Sequence, residues 1–382
     1  MTMNTQNTVS NRRQWLLGAG GLLLVPAALA QTAAPAPGSM LSPRPLRFPR
    51  DHGTHNKTRT EWWYLTGQAQ NSAGRSFGFQ VTFFRSRVDA AQPLQSRLAA
   101  KQLLFAHAAV TDLQGSVLLH DQRIARWNGE QPTQRERGVF AREDDLQVVL
   151  RDWFMQREAS GAYRAEVVGD EIGIAITATP TQAILLQGDQ GFSRKGPDAS
   201  QASFYITHPQ LAVQGTLALR GERFTVTGQA WLDHEWSEAI LHPEAVGWDW
   251  IGMNLDNGDS LTAFELRRTD GSALWAGGSH RSQAASSDPL GARSFAPSDV
   301  RFTPQRFWTS PLTNARYPVE WQVNTPAGRF TVRALLDAQE LDSRSSTGTV
   351  YWEGLSDLLD ARGQRVGRGY LEMTGYAQRL VL

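Results

Sequence analysis

Residues 248–267 read WDWIGMNLDNGDSLTAFELR. In the first half of this stretch side chains alternate, so that one face carries two tryptophans and a glycine, and the other an aspartate, an isoleucine and a methionine. Asn257-Gly258 then supplies a turn that tolerates positive φ, and an apolar strand follows. The stretch therefore predicts a β-hairpin.

Runs with similar alternation recur from Thr60 onward, separated by Gly, Asn, Asp and Pro. Many short strands at this spacing predict an all-β sandwich or barrel and not a parallel sheet with crossover helices. One short helix is predicted at 91–104. Further strands are predicted at 63–68, 77–85, 103–111, 182–186, 210–219, 224–232, 317–323 and 330–336.

The hairpin also has a counterpart earlier in the chain. Glu61-Trp62-Trp63 opens a strand, a turn follows, and the run 77–85 returns and ends in an arginine. Later, Glu235-Trp236 precedes the hairpin at 248–267, which again ends in an arginine. These matches favour two copies of one β unit that meet between Leu219 and Leu241, although the alternative is that hairpins simply look alike.

The first thirty residues have the order of a secretory signal. Arg12-Arg13 precedes an apolar run at 15–25, and small residues at 27–30 offer a cleavage site. Paired arginines before the run indicate the twin-arginine route and a periplasmic location, with a retained membrane anchor as the alternative. Residues 31–45 are rich in Ala and Pro and predict a disordered spacer. After cleavage no transmembrane segment is expected.

Composition excludes several classes of function. The chain has no cysteine, and its net charge of +1 comes from 38 scattered basic and 37 acidic residues, so we expect no disulfides and no nucleic-acid partner. No nucleophile elbow, His-Glu-x-x-His motif, P-loop or dinucleotide fingerprint is present. We expect no cofactor. Thirteen tryptophans favour aromatic-lined cavities.

The most concentrated group of titratable side chains lies in WLDHEWS at 231–237, where tryptophans flank it. Strand alternation sends Asp233 and Glu235 to one side and His234 and Trp236 to the other. A carboxyl group beside indoles loses hydration, which raises its pKa and suits it to donate a proton, while an indole face attracts a cation. The alternative is structural, with acids that cap turns or pair with arginines.

A second cluster comprises Asp51, His52, His55 and Glu61. Two histidines and a carboxylate could bind a metal. They lie before the first strand without a third histidine nearby, so we expect these residues to form hydrogen bonds within the structure or to close the site, and we predict no metal site. His107, inside an apolar run, is predicted to be a buried histidine with satisfied hydrogen bonds.

Segments spread from His52 to Tyr376 resemble one family, the AttH-type predicted secreted hydrolases, which are related to the carotenoid 1,2-hydratases (CrtC). The resemblance implies two tandem lipocalin-like β-barrels, at 46–235 and 236–382, with a ligand cavity near their junction. The matching segments are EWWY (61–64), FQVTFFR (79–85), LFAHA (104–108), GDQGFSRK (188–195), WLDHEWS (231–237), GWDW (247–250), YWEG (351–354) and GRGYLEMTGY (367–376).

The related hydratases protonate a C=C bond, and water captures the resulting carbocation. Their His-x-Trp pair matches His234 and Trp236. The places of their tyrosine and aspartate, one strand later, are held here by Phe264 and Leu266. Carotenoid hydration itself therefore does not carry over directly, and another acid must supply the proton: Asp233, Glu235, Asp249 or Glu265.

Two hypotheses follow for function. The first is a periplasmic acid–base hydratase or hydrolase that acts on a hydrophobic isoprenoid, polyene or lipid-like ligand. The second is a non-catalytic carrier or chaperone for such a ligand, associated with an ABC-transport permease. The predicted catalytic residues are Asp233, His234, Glu235 and Trp236, and the predicted ligand-binding residues are Trp62, Trp63, Tyr64, Trp231, Trp248, Asp249, Trp250, Phe264 and Glu265.

Overall fold

The computed structural model describes residues 41–131, 138–238 and 241–380. The predicted signal peptide at 1–30 and residues 31–40 of the predicted spacer lie outside them. Within the described part no helix is long and apolar enough to cross a bilayer. The described helices are short 3₁₀ turns, at Arg50–His52, Asp89–Ala91, Gln283–Ala285 and Pro297–Asp299.

Strands make up the rest of the regular structure and form two antiparallel sheets, A and B. Sheet A comprises β1 (Thr60–Asn71), β2 (Ser76–Arg87), β3 (Gln102–Asp112), β4 (Val117–Trp127), β5 (Val139–Ala141), β6 (Gln147–Leu150), β7 (Trp153–Arg157), β8 (Tyr163–Val168), β9 (Ile172–Thr179), β10 (Leu185–Leu186), β11 (Phe192–Arg194), β12 (Ala202–Leu219) and β13 (Glu222–Ser237). Sheet B comprises β14 (Ala245–Leu255), β15 (Ser260–Arg268), β16 (Ala273–Arg281), β17 (Arg293–Phe295), β18 (Arg301–Thr309), β19 (Arg316–Thr325), β20 (Gly328–Ala334), β21 (Glu340–Ser343), β22 (Thr349–Leu359) and β23 (Arg365–Met373).

The two sheets follow the same path. In sheet A the first strand pairs with the last, β1 with β13, and β2, β3 and β4 continue outward from β1. In sheet B, β14 pairs with β23, and β15, β16 and β17 continue outward from β14. β4 also contacts β5, β6 and β9, so that sheet A nearly closes into a barrel. The predicted all-β class with two tandem barrel-like units is confirmed.

Two details differ from the sequence predictions. The predicted helix at 91–104 is wrong, because the segment contains a single 3₁₀ turn, Asp89–Ala91, and then enters β3 (Gln102–Asp112). Apolar residues of β3 are buried by pairing with β2, which outweighs the local helix preference. The predicted boundary at residue 235 falls inside β13, where Trp236 and Ser237 still pair with β1 and β12.

Each sheet has its own hydrophobic core, and a third apolar cluster lies between the sheets. We call this contact zone the seam; its buried apolar residues are Tyr64, Trp231, Trp250, Phe264, Leu355 and Tyr370.

Alternation along β14 places Trp250 in the seam and Ile251 in the core of sheet B, as predicted. A glycine permits the close approach of the sheets, because a Cβ at Gly78 would lie 2.8 Å from the Tyr370 hydroxyl and 3.1 Å from Leu355 Cβ.

Candidate functional site

The segment 233–236 of β13 has two chemically different faces. Asp233 and Glu235 point into the seam, whereas His234 and Trp236 point toward Glu61 and His55 on the opposite side of sheet A. The predicted alternation of these four side chains is therefore confirmed. It also means that they do not form one site.

Asp233 is buried and is held by two hydroxyl groups of β12. The Tyr205 hydroxyl donates to one carboxyl oxygen at 2.9 Å, and the Thr207 hydroxyl donates to the other at 2.6 Å. Burial raises the pKa of Asp233 to about 7, because loss of hydration outweighs these hydrogen bonds. Asp233 can thus hold or release a proton near neutral pH.

Glu235 is neutralised by a cation from the loop that follows β11. Lys195 Nζ lies 3.0 Å from the Glu235 carboxylate, and both side chains are buried. The same ammonium group lies 4.3 Å from the ring centroid of Tyr205 and 4.5 Å from that of Phe264. Lys195 therefore bridges Tyr205 of sheet A and Phe264 of sheet B.

A pocket of about 460 Å³ lies between the sheets beside these rings. This volume is within the range of small-molecule sites, and the lining combines aromatic side chains with polar and charged ones. The principal lining side chains are Gln187, Phe192, Arg194, Tyr205, Phe264, Trp275 and Phe295.

Two residues connect the pocket to Asp233. Tyr205 lines the pocket and donates its hydroxyl to Asp233, while its oxygen accepts a hydrogen bond from Trp250 Nε1 at 3.2 Å. Gln187 also lines the pocket, and its amide donates at 3.0 Å to the Thr207 hydroxyl, which in turn donates to Asp233. The buried acid is thus linked to the pocket wall by two hydrogen-bonded routes.

The other face of β13 carries a cluster centred on Glu61, which is buried. The Glu61 carboxylate accepts hydrogen bonds from Thr54 Oγ1, Arg85 Nε and His234 Nε2 at 2.7, 2.9 and 2.9 Å. Burial alone would raise its pKa, but Arg85, the two neighbouring histidines and their hydrogen bonds hold the pKa of Glu61 well below its usual value. This carboxylate is ionised and is not a proton donor.

His55 joins this cluster to the chain before β1. Its ring nitrogens contact Glu61 at 2.8 Å and Asp51 at 3.0 Å, and Asp51 forms an ion pair with Arg44. The ring stacks on Trp236 with centroids 3.7 Å apart.

In the same cluster Trp63 stacks on His234 with centroids 4.8 Å apart. The predicted site residues Trp63, His234 and Trp236 therefore lie in a packed polar network on the far side of sheet A from the pocket.

The one group among the described residues that has metal-site geometry is His55, Glu61 and His234, with donor atoms within 4.8 Å of one another. Each carboxylate of this network already has its own guanidinium partner, Arg85 for Glu61 and Arg44 for Asp51. A divalent ion would therefore place uncompensated positive charge in a buried site, which is strongly unfavourable. These donors fit a hydrogen-bonded network better than a metal. His52 is not part of the group; it packs near Tyr163.

Two predicted ligand-binding acids also face away from the pocket. Asp249 is buried on the core side of sheet B, where it accepts from Arg267 at 2.6 Å and from the Tyr376 hydroxyl at 3.0 Å. Glu265 pairs with Asp249 across β14 and β15 and lies on the same side. The predicted residues that the structure does bring to the seam are Trp62, Tyr64, Trp231, Trp248, Trp250 and Phe264.

Comparison with known proteins identifies the family. A profile described as AttH-like matches residues 39–376. The chain belongs to the AttH-like family. The crystal structure of an AttH-type protein from Nitrosomonas europaea is 43% identical, covers 88% of this chain and 99% of its own, and has a TM-score of 0.79.

A more distant structure has the same AttH-like fold. Kievitone hydratase from Nectria haematococca is 14% identical, covers 86% of this chain and 92% of its own, and has a TM-score of 0.63. At this identity the likeness shows the fold alone. No curated protein matches the chain in sequence.

Several residues of the candidate site were not predicted from the sequence. No sequence motif marks Tyr205, Thr207 or Gln187. Their contacts depend on the pairing of β12 with β13 and on the approach of sheet B. Lys195 and two seam acids, Glu353 and Glu372, lie inside the segments that carry the family resemblance. The family resemblance of those segments was therefore the feature of the sequence that could have pointed to these three residues.

Proposed function

We propose that this protein is a periplasmic acid–base enzyme of the hydratase type, which adds water across a C=C bond of a hydrophobic ligand bound in the pocket between the sheets. The observation that carries the proposal is the position of Tyr205. Its ring lines the pocket, and its hydroxyl is hydrogen-bonded to an acid, Asp233, that holds a proton near neutral pH.

The proposed reaction uses this pair as a proton relay. When Asp233 is protonated, the hydrogen bond reverses: Asp233 donates to the Tyr205 oxygen, and the Tyr205 hydroxyl proton turns toward the pocket. Asp233 then gives its proton to the Tyr205 oxygen while the Tyr205 hydroxyl proton passes to one alkene carbon, so that the C=C electron pair forms the new C–H bond. Water then bonds to the cationic carbon and loses a proton to Tyr205, and the Tyr205 proton returns to Asp233. The net change is addition of one water, and the pair ends in its starting state.

The residues that depart from the hydratase pattern support this assignment. Phe264 holds the place of the expected tyrosine, yet the phenol of Tyr205 lines the same pocket. Asp233 replaces the carboxylate that is missing at Leu266. A phenol that lines the pocket and a carboxylate bonded to it are therefore present, but both come from sheet A. The name of kievitone hydratase, which has the same fold, supports hydration as the reaction class.

Asp233→Asn and Tyr205→Phe test the proposal. The mature protein is incubated in heavy-oxygen water with a panel of kievitone and acyclic isoprenoid alkenes, and product hydroxyl groups are followed by mass spectrometry. Loss of positioned proton transfer is expected to reduce the rate about 10²–10⁴-fold in each variant. Activity of the unmodified protein should fall as pH rises through about 7, because Asp233 donates only when protonated.

Glu265→Gln is the matched control. Burial also raises the pKa of Glu265 to about 7, but its side chain lies on the core side of sheet B. This variant should keep its activity. Full activity in both Asp233→Asn and Tyr205→Phe would overturn the proposal.

Periplasmic export rests on Arg12-Arg13 and the apolar run that follows. Cell fractionation should find the mature chain in the periplasm. Replacing both arginines with lysine should leave the precursor in the cytoplasm; unchanged export would exclude the twin-arginine route.

A carrier for a hydrophobic ligand, which passes its cargo to an ABC-transport permease, is the second candidate. It is favoured by the position of Asp233 behind the wall formed by Tyr205, since a ligand can fill the pocket without touching the acid. Native mass spectrometry separates the two functions. A bound hydrophobic molecule that stays chemically unchanged through prolonged incubation supports the carrier, and conversion to a hydrated product supports the enzyme.

A further inference from the structure

The pocket between the sheets has a buried end and an exposed rim. Tyr205 and Phe264 line it and are buried, whereas the exposed lining residues come from the segment 188–194 of sheet A and the segment 294–297 of sheet B. The charged side chains among the described lining residues, Arg194 and Asp189, are both exposed. The pocket therefore matches an amphipathic ligand, with an apolar body inside and a polar group at the rim.

Arg194 is held at this rim by contacts with both sheets. Its Nη2 donates to the carbonyl oxygens of Gly196 and Pro197 at 2.9 and 2.7 Å. Its guanidinium carbon lies 5.4 Å from the ring centroid of Trp275 in β16, and Trp275 Nε1 donates to the Arg194 carbonyl oxygen at 3.3 Å. An indole face attracts a cation. The guanidinium is therefore oriented beside an aromatic wall of the pocket.

Two neighbouring cations in this segment differ in countercharge. Lys195 is neutralised, because its Nζ lies 3.0 Å from the Glu235 carboxylate. Arg194 forms no ion pair with any described residue, Asp189 included, and its Nε and Nη1 have no hydrogen-bond partner among them. A guanidinium presents pairs of parallel N–H groups that match the two oxygens of a carboxylate. Arg194 thus offers an unused carboxylate-binding group at the pocket rim.

The pairing of β11 with β12 sets how far Arg194 lies from the proposed proton donor. Arg194 pairs with Ala202, and Tyr205 follows three residues later in β12. At about 3.3 Å per residue of strand, the backbone positions of Arg194 and Tyr205 are about 10 Å apart. Trp275 and Phe264, from neighbouring strands of sheet B, line the same pocket. A ligand anchored at Arg194 therefore needs an apolar chain of about this length to reach Tyr205.

We propose that Arg194 binds the carboxylate of the ligand, and that the substrate is an unsaturated carboxylic acid whose C=C bond lies about 10 Å from that carboxylate. Its hydrocarbon chain runs along Trp275 and Phe264 toward Tyr205. Asp189, in the turn between β10 and β11, repels a carboxylate, so the head group lies on the side of the rim formed by Arg194 and Trp275. The assignment names the substrate class of the proposed reaction and rests on that proposed function.

Calorimetric titration of the full mature chain tests the anion site without turnover. The probes are sodium octanoate, 1-octanol, octylammonium chloride and sodium acetate, at pH 6, where octanoate is ionised because an ordinary carboxyl group has a pKa of about 4. We expect octanoate to bind at least about tenfold more tightly than 1-octanol or octylammonium, equivalent to about 1.4 kcal/mol. Acetate has no chain to fill the pocket and should give no saturable binding at the same concentrations.

Arg194→Gln should lower octanoate affinity at least about tenfold and leave 1-octanol binding unchanged. Arg194→Lys keeps the charge but loses the planar pair of donors, so it should restore only part of the octanoate affinity. Arg316→Gln is the matched control. Arg316 is also exposed, lies 3.8 Å from the ring centroid of Phe307 and has no carboxylate partner among the described residues, but it does not line the pocket. This variant should bind octanoate as the unmodified protein does.

Four results would overturn the anion site: equal affinity for octanoate and 1-octanol, tighter binding of octylammonium, acetate binding as tight as that of octanoate, or unchanged octanoate binding in Arg194→Gln. Tighter binding of octylammonium would assign the head group to Asp189 instead.

Failure of the anion site and failure of the proposed reaction are distinguishable. Octanoate has no C=C bond, so its binding does not depend on catalysis. Hydration of uncharged alkenes that is lost in Asp233→Asn would leave the proposed function standing without the anion site. Octanoate binding that depends on Arg194, without hydration of any alkene tested, would leave a carrier for carboxylic acids.

Discussion

Buried acids lie against both faces of β13, and they differ in countercharge. On the core side of sheet A, Glu61 is matched by Arg85, and the pKa of its carboxyl group is low. On the seam side, Glu235 is matched by Lys195. Three other seam acids, Asp233, Glu353 and Glu372, form no ion pair among the described residues, and burial raises their pKa values. A balanced cluster stabilises the fold, whereas burial of an acid without a countercharge favours its protonated form.

Sheet B repeats the balanced arrangement. Asp249 of β14 pairs with Arg267 at the end of β15, as Glu61 of β1 pairs with Arg85 near the end of β2. Each half of the molecule therefore has a buried acid–arginine pair across its first hairpin. The unpaired acids lie in the seam, where the two halves meet. This difference can be tested by stability measurements.

The largest effect is expected at the balanced cluster. Glu61→Gln leaves the buried Arg85 without its carboxylate and should lower the free energy of unfolding by about 3–5 kcal/mol. Chemical denaturation at pH 7 measures it. The deficit should shrink in acid, because a carboxylate whose pKa is low in the folded state gives stability that is lost as pH falls.

Glu171→Gln is the control for this prediction. Glu171 also pairs with an arginine, Arg220, but both side chains are exposed. Exposed pairs contribute about 0–1 kcal/mol, so this change should be close to neutral. Equal effects of the two substitutions would contradict the special role given to the Glu61 cluster.

A smaller effect is expected where the two sheets touch. Gly78→Ala places a methyl group 2.8 Å from the Tyr370 hydroxyl and should destabilise the protein by about 1–3 kcal/mol through overpacking. Gly138→Ala is the control, since its nearest neighbour would be 4.0 Å away. Thermal unfolding of the two variants compares them. If Gly78→Ala is as stable as Gly138→Ala, the seam is less tightly packed than the structure indicates.

The smallest effect, of opposite sign, is expected at Glu372, whose cross-strand partner is another buried acid, Glu353. Glu372→Gln should stabilise the protein by about 1 kcal/mol at pH 8 and have little effect at pH 4. The pKa of Glu372 is raised to about 7, so the folded protein loses stability as pH rises from the ordinary glutamate value toward 7. The glutamine variant lacks this loss. Urea denaturation at a series of pH values measures the difference in unfolding free energy between the variant and the unmodified chain. The prediction is contradicted if this difference favours the variant less at pH 8 than at pH 4.

Much of the fold could be predicted because it has a local signal. The hairpin at 248–267 and the opposite faces of Asp233 and His234 follow from a period of two and from one turn. The segment 91–104 could not be predicted in the same way, because its last residues become strand through pairing with β2.

The site was harder to predict than the fold. Tyr205 and Asp233 are hydrogen-bonded although they are 28 residues apart in sequence. Trp250, which donates to the Tyr205 oxygen, comes from the other sheet. Which strands pair, and in what register, depends on the packing of the whole molecule and not on the local pattern. The sequence located β13 as the chemical centre but could not show that His234 and Trp236 belong to one cluster and Asp233 to another.

The segment 233–236 of β13, whose two faces carry different side chains, also limits how this chain can change in length. Inserting or deleting one residue just before Asp233 would exchange the seam side chains for the core ones, and both clusters would be lost together. Strand β12 shows where such a change can be absorbed. Its register with β13 shifts between His208 and Leu211, where Gln210 adopts a φ of 54°. Among homologues, we therefore expect insertions and deletions near this bulge and a constant residue count from it to the end of β13.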